Sequence, residues 1–358
     1  MKHLTDILDL SVSELDQLIS RAEDISALPE QYADALRHKT LATLFFEPST
    51  RTRLSFESAM LSLGGNVIGF SDANSSSSAK GESLADTIEV VSGYADIIAM
   101  RHPREGAPYI ACAHSAVPVI NAGDGGHLHP TQTLADLLTI KRDLGRLDGL
   151  TVGLCGDLKY GRTVHSLIAA MSRYPGTRFI LISPEELALP EYVKERYITS
   201  LGIQYAECRA LEDKMGELDI LYMTRVQKER FQDAAAYERL KDSCILTPEK
   251  LTTAKERMIV MHPLPRVNEI SPAVDSDPRA CYFAQTRNGK LMRMALILKL
   301  LEEKDTPSPA LDKGPEVPAA CACGNPHCIT AWERELAPRF YQDPEGLTRC
   351  FYCDHAAE

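Results

Sequence analysis

The sequence contains no apolar run that approaches the ~20 residues a membrane-spanning helix requires. Its start, MKHLTDILDL, lacks the basic residues, apolar stretch and small-residue cleavage site of a secretory signal. Basic residues are not in excess either, because the net charge is -11 at pH 7. We therefore expect a cytoplasmic protein with no membrane partner and no nucleic-acid partner, since binding of nucleic-acid phosphates requires a basic surface.

What the sequence does contain is a repeated alternation of strand-type and helix-type segments. Its 358 residues suit two domains of ~150 residues each, with a remainder. Short apolar runs alternate with helical stretches in both halves of the chain, which is typical of parallel sheets covered by helices. The predicted strands are 41–46, 67–70, 97–100, 117–120, 151–155, 178–182, 220–223 and 258–261.

Cysteines are concentrated in the C-terminal tail. The patterns Cys323-x4-Cys328 and Cys350-x2-Cys353 suit one tetrahedral zinc ion. A tail of ~40 residues has little core of its own, so we expect one structural Zn2+ to stabilise it. Cys321 breaks the spacing and is left out of the ligand set, although it can compete for the site. The spacing does not exclude another thiophilic metal.

The segment FFEPSTRTRLSFE is predicted to join a strand to a helix that begins near Thr50. The helix N-terminus, the hydroxyls of Ser49, Thr50 and Thr52, and the guanidinium of Arg51 would form a strong phosphate site. The alternative is an ordinary capped helix with solvated arginines.

This segment resembles the carbamoyl phosphate loop of the aspartate and ornithine carbamoyltransferase family almost letter for letter. Further motifs follow in the family's order, and the resemblance covers residues 1–302. They are SSSSAKGES, MRHPREGA, HPTQTLAD, GDLKYGRTVHSL, and the pair MTRVQKER and MHPLPRVNEI. The elements RVQ and HPLPR resemble the aspartate enzymes, whereas ornithine enzymes have a Cys-Leu-Pro segment near the second position.

The resemblance implies transfer of a carbamoyl group from carbamoyl phosphate to L-aspartate, with no cofactor for catalysis. The products would be N-carbamoyl-L-aspartate and phosphate, in the committed step of de novo pyrimidine biosynthesis. The implied fold is α/β, with two doubly wound parallel-sheet domains joined by helices and a small zinc-binding domain. The predicted parts are a carbamoyl-phosphate-binding domain (1–130, with the returning helix 287–302), an aspartate-binding domain (131–286), a linker (303–320) and the zinc-binding domain (321–358).

The resemblance also assigns site residues. For catalysis it implies Arg51, Thr52, Lys80, Arg101 and His129. For carbamoyl phosphate it implies Ser49, Thr50, Arg51, Thr52, Arg101, His129, Gln132, and the main-chain carbonyls of Leu264 and Pro265. For aspartate it implies Lys80, Arg162, Arg225 and Gln227. Supporting roles fall to Glu47, Ser77 and Glu229, the two glutamates orienting the arginines that bind aspartate.

Within the family, the loop that contains Lys80 reaches into the active site of a neighbouring chain, which implies a homotrimer with shared sites. Ser77 is favoured over Ser76 by the S-x-x-K spacing, although the run of four serines allows either register. The alternative is a mobile polar loop.

The tail segments CGNPHCIT and RCFYCD resemble the zinc domain of the aspartate carbamoyltransferase regulatory chain, which is normally a separate polypeptide. Only a Pro-rich linker stands where that chain has its nucleotide-binding domain. We therefore predict that ATP and CTP do not regulate this protein through a domain of its own. The tail is expected to dock on its own or a neighbouring catalytic domain, which allows a higher assembly of trimers.

Three alternatives remain at this point. The acceptor could be a different amine, such as ornithine. The chain could be a scaffold without activity, although that would not preserve Arg51, Arg101, His129, Arg162 and Arg225. The tail could bind another protein, whereas its excess of acidic residues disfavours nucleic acid.

Overall fold

The computed structural model describes residues 2–72, 81–226, 239–240, 244–306, 313–318, 322–333, 336–343 and 345–357. The chain divides into two compact units. The first unit comprises Met1–Thr131 and Lys290–Glu358, and the second comprises Gln132–Gly289. No helix in the described ranges is both long and apolar enough to cross a membrane.

The first unit is built on a parallel sheet with strand order β2-β1-β3-β4. The helix α1 begins with a capping box, in which Ser11 and Glu14 each bind the other's main chain. Ser83 caps α3 by accepting a hydrogen bond from Asp86 N. The strands are β1 (Thr40–Phe45), β2 (Asn66–Phe70), β3 (Ile97–His102) and β4 (Val119–Asp124), and the helices are α1 (Val12–Ala27), α2 (Thr50–Ser62), α3 (Leu84–Ser92) and α4 (Ala107–His114).

The second unit contains a parallel sheet with strand order β7-β6-β5-β8-β9. Its central strands are almost entirely buried, which explains their continuous apolar sequences. The strands are β5 (Thr151–Cys155), β6 (Arg178–Ile182), β7 (Tyr205–Cys208), β8 (Ile220–Met223) and β9 (Ile259–Met261). The helices are α5 (Pro130–Leu144), α6 (Arg162–Met171), α7 (Glu191–Lys194) and α8 (Tyr282–Glu302). The unit boundaries fall within α5 and α8.

The parallel α/β prediction is confirmed, and each predicted strand is present within a few residues of its expected bounds. The sequence missed β7 (Tyr205–Cys208). This edge strand alternates exposed and half-buried residues and so has no apolar run. A π-helical segment, Glu195–Thr199, follows α7. Short 3-10 segments lie at Ile7–Asp9, Pro29–Tyr32, Glu185–Leu187, Leu211–Asp213, Met215–Glu217, Glu249–Thr253, Pro272–Ser276 and Ile329–Ala331.

The tail forms an antiparallel sheet of β10 (Glu316–Val317), β11 (Phe340–Gln342) and β12 (Thr348–Cys350). The C-terminal end of the predicted linker 303–320 is part of this sheet and not of a linker. Gln342 N donates to Pro315 O at 3.0 Å, and β10 pairs with β11. We call residues 313–357 the tail module. It belongs to the first unit, and its apolar residues share one core with those of α4.

Candidate active site and metal site

The residues predicted to bind phosphate lie at the carboxyl ends of parallel strands in the first unit. Ser49–Thr52 follow β1, Arg101 lies near the end of β3, and His129 lies between β4 and α5. Thr52 and His129 are buried, whereas Thr50 and Arg51 are exposed. Because the strands are parallel and adjacent, these ends share one edge of the sheet, where α/β proteins bind ligands. We call this set the phosphate side.

Arg101 is held in place on the phosphate side by a carboxylate. Its guanidinium lies 2.8 Å from the Glu47 carboxylate, and its side chain is 12% exposed. Its main-chain carbonyl accepts a hydrogen bond of 2.9 Å from Phe46 N. Burial lowers the pKa of Arg101, and the Glu47 charge offsets this only in part. Glu47 was expected to orient the aspartate-binding arginines, but here its carboxylate contacts Arg101.

The N-terminus of α2 supplies the second element of the phosphate side. Ser49 is the N-cap residue, but its hydroxyl donates to Thr52 Oγ1 at 3.0 Å, and the described structure shows no side-chain cap on this helix. The first main-chain N–H groups of a helix have no partner within it. Together with the helix dipole, such groups favour binding of a phosphate.

In the second unit, two arginines follow neighbouring strands. Arg162 begins α6 after β5, and Arg225 follows β8, which pairs with β5. Leu264 and Pro265 follow β9, the next strand of the sheet. The carboxyl edge of this sheet therefore combines two guanidinium groups with a main-chain loop. We call these residues the acceptor side.

A buried hydrogen bond between His262 and Glu269 fixes the Leu264–Pro265 loop. His262 Nδ1 accepts a 2.7 Å hydrogen bond from Leu264 N, and His262 Nε2 bonds to Glu269 Oε1 at 2.7 Å. Glu269 also accepts from Val267 N and Asn268 N. Burial raises the pKa of Glu269, but His262 and these N–H groups outweigh it, and the pKa is lowered. Leu264 is held at φ 50°, an unfavourable value for a residue with a Cβ.

Asp136 connects this loop to Gln132. Gln132 Nε2 donates to Asp136 Oδ1 at 2.8 Å, and Tyr222 OH donates to Asp136 Oδ2 at 3.0 Å. Gln285 Nε2 donates to Asp136 Oδ1 at 2.5 Å, while Gln285 Oε1 accepts from His262 N. Sequence reasoning missed Asp136, His262 and Glu269 as positioning residues. The spacing of four residues between Gln132 and Asp136 on one helix was a usable signal.

Four predicted site residues lie outside the described residues. They are Ser77, Lys80, Gln227 and Glu229.

The four tail cysteines of the predicted zinc site come together. Their Sγ atoms all lie within 4.8 Å of one another, with Cys323–Cys353 at 3.6 Å and Cys328–Cys350 at 3.8 Å. Four thiolates at about 2.3 Å from a tetrahedral Zn2+ would be about 3.8 Å apart. The separations exceed the ~2.05 Å of a disulfide. The group therefore fits a zinc ion in size and ligand chemistry. Thr330 Oγ1 also donates to Cys328 Sγ at 3.2 Å.

Comparisons with known proteins cover the two α/β units. Residues 2–142 match the family described as "Aspartate/ornithine carbamoyltransferase, carbamoyl-P binding domain", and residues 148–300 match "Aspartate/ornithine carbamoyltransferase, Asp/Orn binding domain". The chain is 64% identical over 301 residues to the aspartate carbamoyltransferase catalytic subunit of Lachnoclostridium phytofermentans, covering 84% of this chain and 98% of that protein. The Clostridium novyi catalytic subunit is 62% identical over 300 residues, with the same coverage of each chain.

Solved structures show the same relationship. The catalytic subunit of M. jannaschii aspartate transcarbamoylase is 48% identical, with a TM-score of 0.80 over 86% of this chain and 100% of that chain. The Trypanosoma cruzi aspartate transcarbamoylase in complex with aspartate and phosphate is 40% identical, with a TM-score of 0.79 over 84% and 96% of the two chains. The two family matches together span most of the sequence, and the chain therefore belongs to the aspartate/ornithine carbamoyltransferase family.

Proposed function

We propose that this protein is an aspartate carbamoyltransferase that converts carbamoyl phosphate and L-aspartate into N-carbamoyl-L-aspartate, a pyrimidine precursor, and phosphate. The observation that carries the proposal is the pair Arg162 and Arg225, at the carboxyl ends of adjacent strands. Two guanidinium groups suit an acceptor with two carboxylates, because each planar fork can bind two oxygens. The names of the most similar curated relatives support the same acceptor.

The phosphate side accounts for the donor. Arg51, Arg101 and the N-terminus of α2 bind the phosphate group through charge and main-chain N–H groups. The uncharged α-amine of aspartate attacks the carbonyl carbon and a C–N bond forms. The C–O bond to phosphate then breaks, and the departing phosphate takes the proton that the amine nitrogen loses. Thr52, Arg101 and His129 stabilise the oxyanion of the tetrahedral intermediate. Fixed donors of this kind act mainly by electrostatic stabilisation and positioning.

The remaining roles belong to the acceptor side and to residues outside the described ranges. Gln132 and the carbonyls of Leu264 and Pro265 bind the carbamoyl amino group. Arg162 binds the α-carboxylate of aspartate, and Arg225 with Gln227 binds its side-chain carboxylate. Glu229 orients Arg225.

We also propose that the active enzyme is a homotrimer, in which Lys80, supported by Ser77, enters the site of the neighbouring chain. A mixture of Lys80→Ala and His129→Ala chains tests this. If the two residues come from different chains, dissociation and reassembly of the mixture should restore activity that neither variant has alone. Continued inactivity of verified mixed trimers would exclude shared sites.

The tail module is proposed to bind one structural Zn2+ through Cys323, Cys328, Cys350 and Cys353. The cysteine spacing and the Sγ separations support this. Zinc would stabilise the module's fold, and no catalytic step requires it. Reduced thiolates fit a cytoplasmic location.

The decisive experiment measures phosphate release from carbamoyl phosphate with L-aspartate and, in parallel, with L-ornithine. Turnover that requires aspartate is expected, and zinc analysis of the same sample should give about one ion per chain. The Arg162→Lys variant should raise the KM for aspartate far more than that for carbamoyl phosphate. Turnover with ornithine in place of aspartate would overturn the proposed acceptor.

A further inference from the structure

We infer that the tail module positions the phosphate side, with Asp354 acting through His127 on the loop that contains His129. This inference rests on the proposed function, because it assumes that His129 and Arg101 bind carbamoyl phosphate. Two loops are involved: the β3–α4 loop (residues 103–106) and the β4–α5 loop (residues 125–129). Each connects a strand of the first unit to a helix.

The β3–α4 loop is bound to the module through its main chain. Glu105 N donates to His327 O, and Glu105 O accepts from Ile329 N, both at 2.9 Å. The Glu105 carboxylate accepts a hydrogen bond of 2.7 Å from Asn325 Nδ2. Arg104 donates to the Pro326 carbonyl at 3.0 Å and lies over the Trp332 ring. Glu105 therefore pairs in the manner of a β-bridge with the metal-binding part of the module. The β3–α4 loop to which it belongs begins two residues after Arg101.

The contact at Gly106 leaves no space for a side chain. Gly106 has φ 84°, and a Cβ there would lie 2.5 Å from Tyr352 Cβ and 2.6 Å from its main-chain oxygen. A glycine is thus required both by the conformation and by the close approach of the module.

The β4–α5 loop is bound to the module through a side chain. His127 is almost fully buried between two carboxylates: its Nδ1 lies 3.1 Å from Asp124 Oδ2 and its Nε2 lies 3.0 Å from Asp354 Oδ2. Asp354 immediately follows the proposed zinc ligand Cys353. It also pairs with Lys313 at 2.9 Å and accepts from Tyr341 OH. His127 is two residues from His129 in the same loop, so the contacts of its ring restrain the main chain that leads to His129.

The two loops are also bound to each other. Asp124 accepts hydrogen bonds from Gly106 N at 2.8 Å and from Leu128 N at 3.2 Å. Glu105 Oε1 accepts from Gly126 N at 3.2 Å. Asp124, Glu105, His127 and Asp354 therefore form one network across the two loops and the module. The conformations that place Arg101 and His129 depend on a docked module.

Asp354→Ala removes the module's contact with His127, and Asp354→Asn retains an oxygen that can accept from Nε2. We expect Asp354→Ala to raise the KM for carbamoyl phosphate and the Kd for inorganic phosphate about tenfold, as for other substitutions behind a binding residue. Asp354→Asn should recover part of the loss. Amide hydrogen exchange of residues 103–106 and 125–129 should accelerate in the alanine variant. Glu316→Ala is the control, because it removes an exposed ion pair of the module with Arg339 and leaves Asp354 and His127 unchanged.

The zinc content of the variant distinguishes a loss of loop positioning from unfolding of the module. If the Asp354→Ala variant loses zinc, the His127→Gln variant is measured instead. That substitution lies outside the module and removes the same contact between His127 and Asp354. Unchanged exchange of both loops and unchanged phosphate affinity, in a variant that retains zinc, would overturn the inference. Phosphate binding and exchange require no turnover. Failure of the wild type to use aspartate would therefore refute the proposed function without deciding whether the tail module positions the two loops.

Discussion

At the residue scale, the phosphate side depends on the pairing of Arg101 with Glu47. The Arg101 guanidinium, which we propose binds the phosphate group, is held by a carboxylate at 2.8 Å. Lysine would keep the charge but lose the planar fork that can contact the carboxylate and a substrate oxygen together. The position therefore requires arginine for reasons of geometry as well as charge.

Arg101→Lys is expected to lower kcat/KM about 100-fold or more, the effect of removing one donor from an oxyanion site. Glu47→Gln should have a smaller effect, mainly on the KM for carbamoyl phosphate, because it frees the orientation of Arg101 without removing it. Steady-state kinetics with each substrate varied will test both. If Glu47→Gln instead raises only the KM for aspartate, Glu47 serves the aspartate-binding arginines, as the sequence suggested.

His127 predicts a dependence of stability on pH. Burial lowers its pKa, but Asp124 and Asp354 outweigh burial and raise it from 6.5 to about 10. Asp6 and Lys313 contribute further charges nearby. Because the folded pKa is the higher one, the stabilisation is complete below about pH 6.5 and is lost as pH rises through about 10. Urea unfolding across this range should show the decline in the wild type. A slope of equal size in His127→Gln would refute the assignment.

At the element scale, the segment after β9 illustrates how a main-chain site is built. The carbonyls of Leu264 and Pro265 have no side-chain chemistry of their own, so their positions depend on what holds the loop. His262 and Glu269 are 1% and 4% exposed and bind the loop from inside the second unit. A rigid support of this kind is what main-chain recognition of a substrate requires.

Glu269→Gln should therefore destabilise the protein by about 2 kcal/mol, because it replaces a buried charged hydrogen-bond partner. It should also raise the KM for carbamoyl phosphate. Asp275→Asn is the matched control. Its pair with Arg266 lies on the same segment but is more exposed, so the expected cost is below about 1 kcal/mol. Equal effects of the two substitutions on stability and KM would contradict the role given to the buried pair.

At the scale of the whole molecule, the tail module is part of the first unit's core. Phe340 and Tyr352 are buried in one cluster with Tyr109 and Ile110 of α4, and the Phe351 and Tyr109 rings contact each other at an angle of 54° with centroids 5.5 Å apart. Loss of the module would expose these apolar side chains to water. The unfolding of the module and the stability of the first unit should therefore be coupled.

Zinc chelation is expected to lower the thermal unfolding temperature of the whole first unit and to make the tail sensitive to protease. Cys350→Ser should have the same effect without chelator. Cys208→Ser, a half-buried cysteine of the second unit outside the metal group, is the control. A module that unfolds on chelation while the rest of the protein keeps its unfolding temperature would show that the two do not share a core.

The strand-to-helix passage at Ser49–Thr52 and the cysteine cluster could be predicted because local motifs specify them. The start of a helix near Thr50 is a feature of neighbouring residues, and so is the Cys323-x4-Cys328 spacing. Long-range partners could not be predicted in this way. Asn325 and Glu105 are 220 positions apart, and His127 and Asp354 are 227 apart. No local pattern identifies such pairs.

By itself, the sequence determined the parallel α/β architecture, the family and the four clustered cysteines, because periodicity and motif spacing are properties of adjacent residues. Only the tertiary structure decided that Glu47 pairs with Arg101, that His262 and Glu269 hold the Leu264–Pro265 loop, and that the tail module packs on α4 of its own chain. These contacts depend on which surfaces fold together and exclude water.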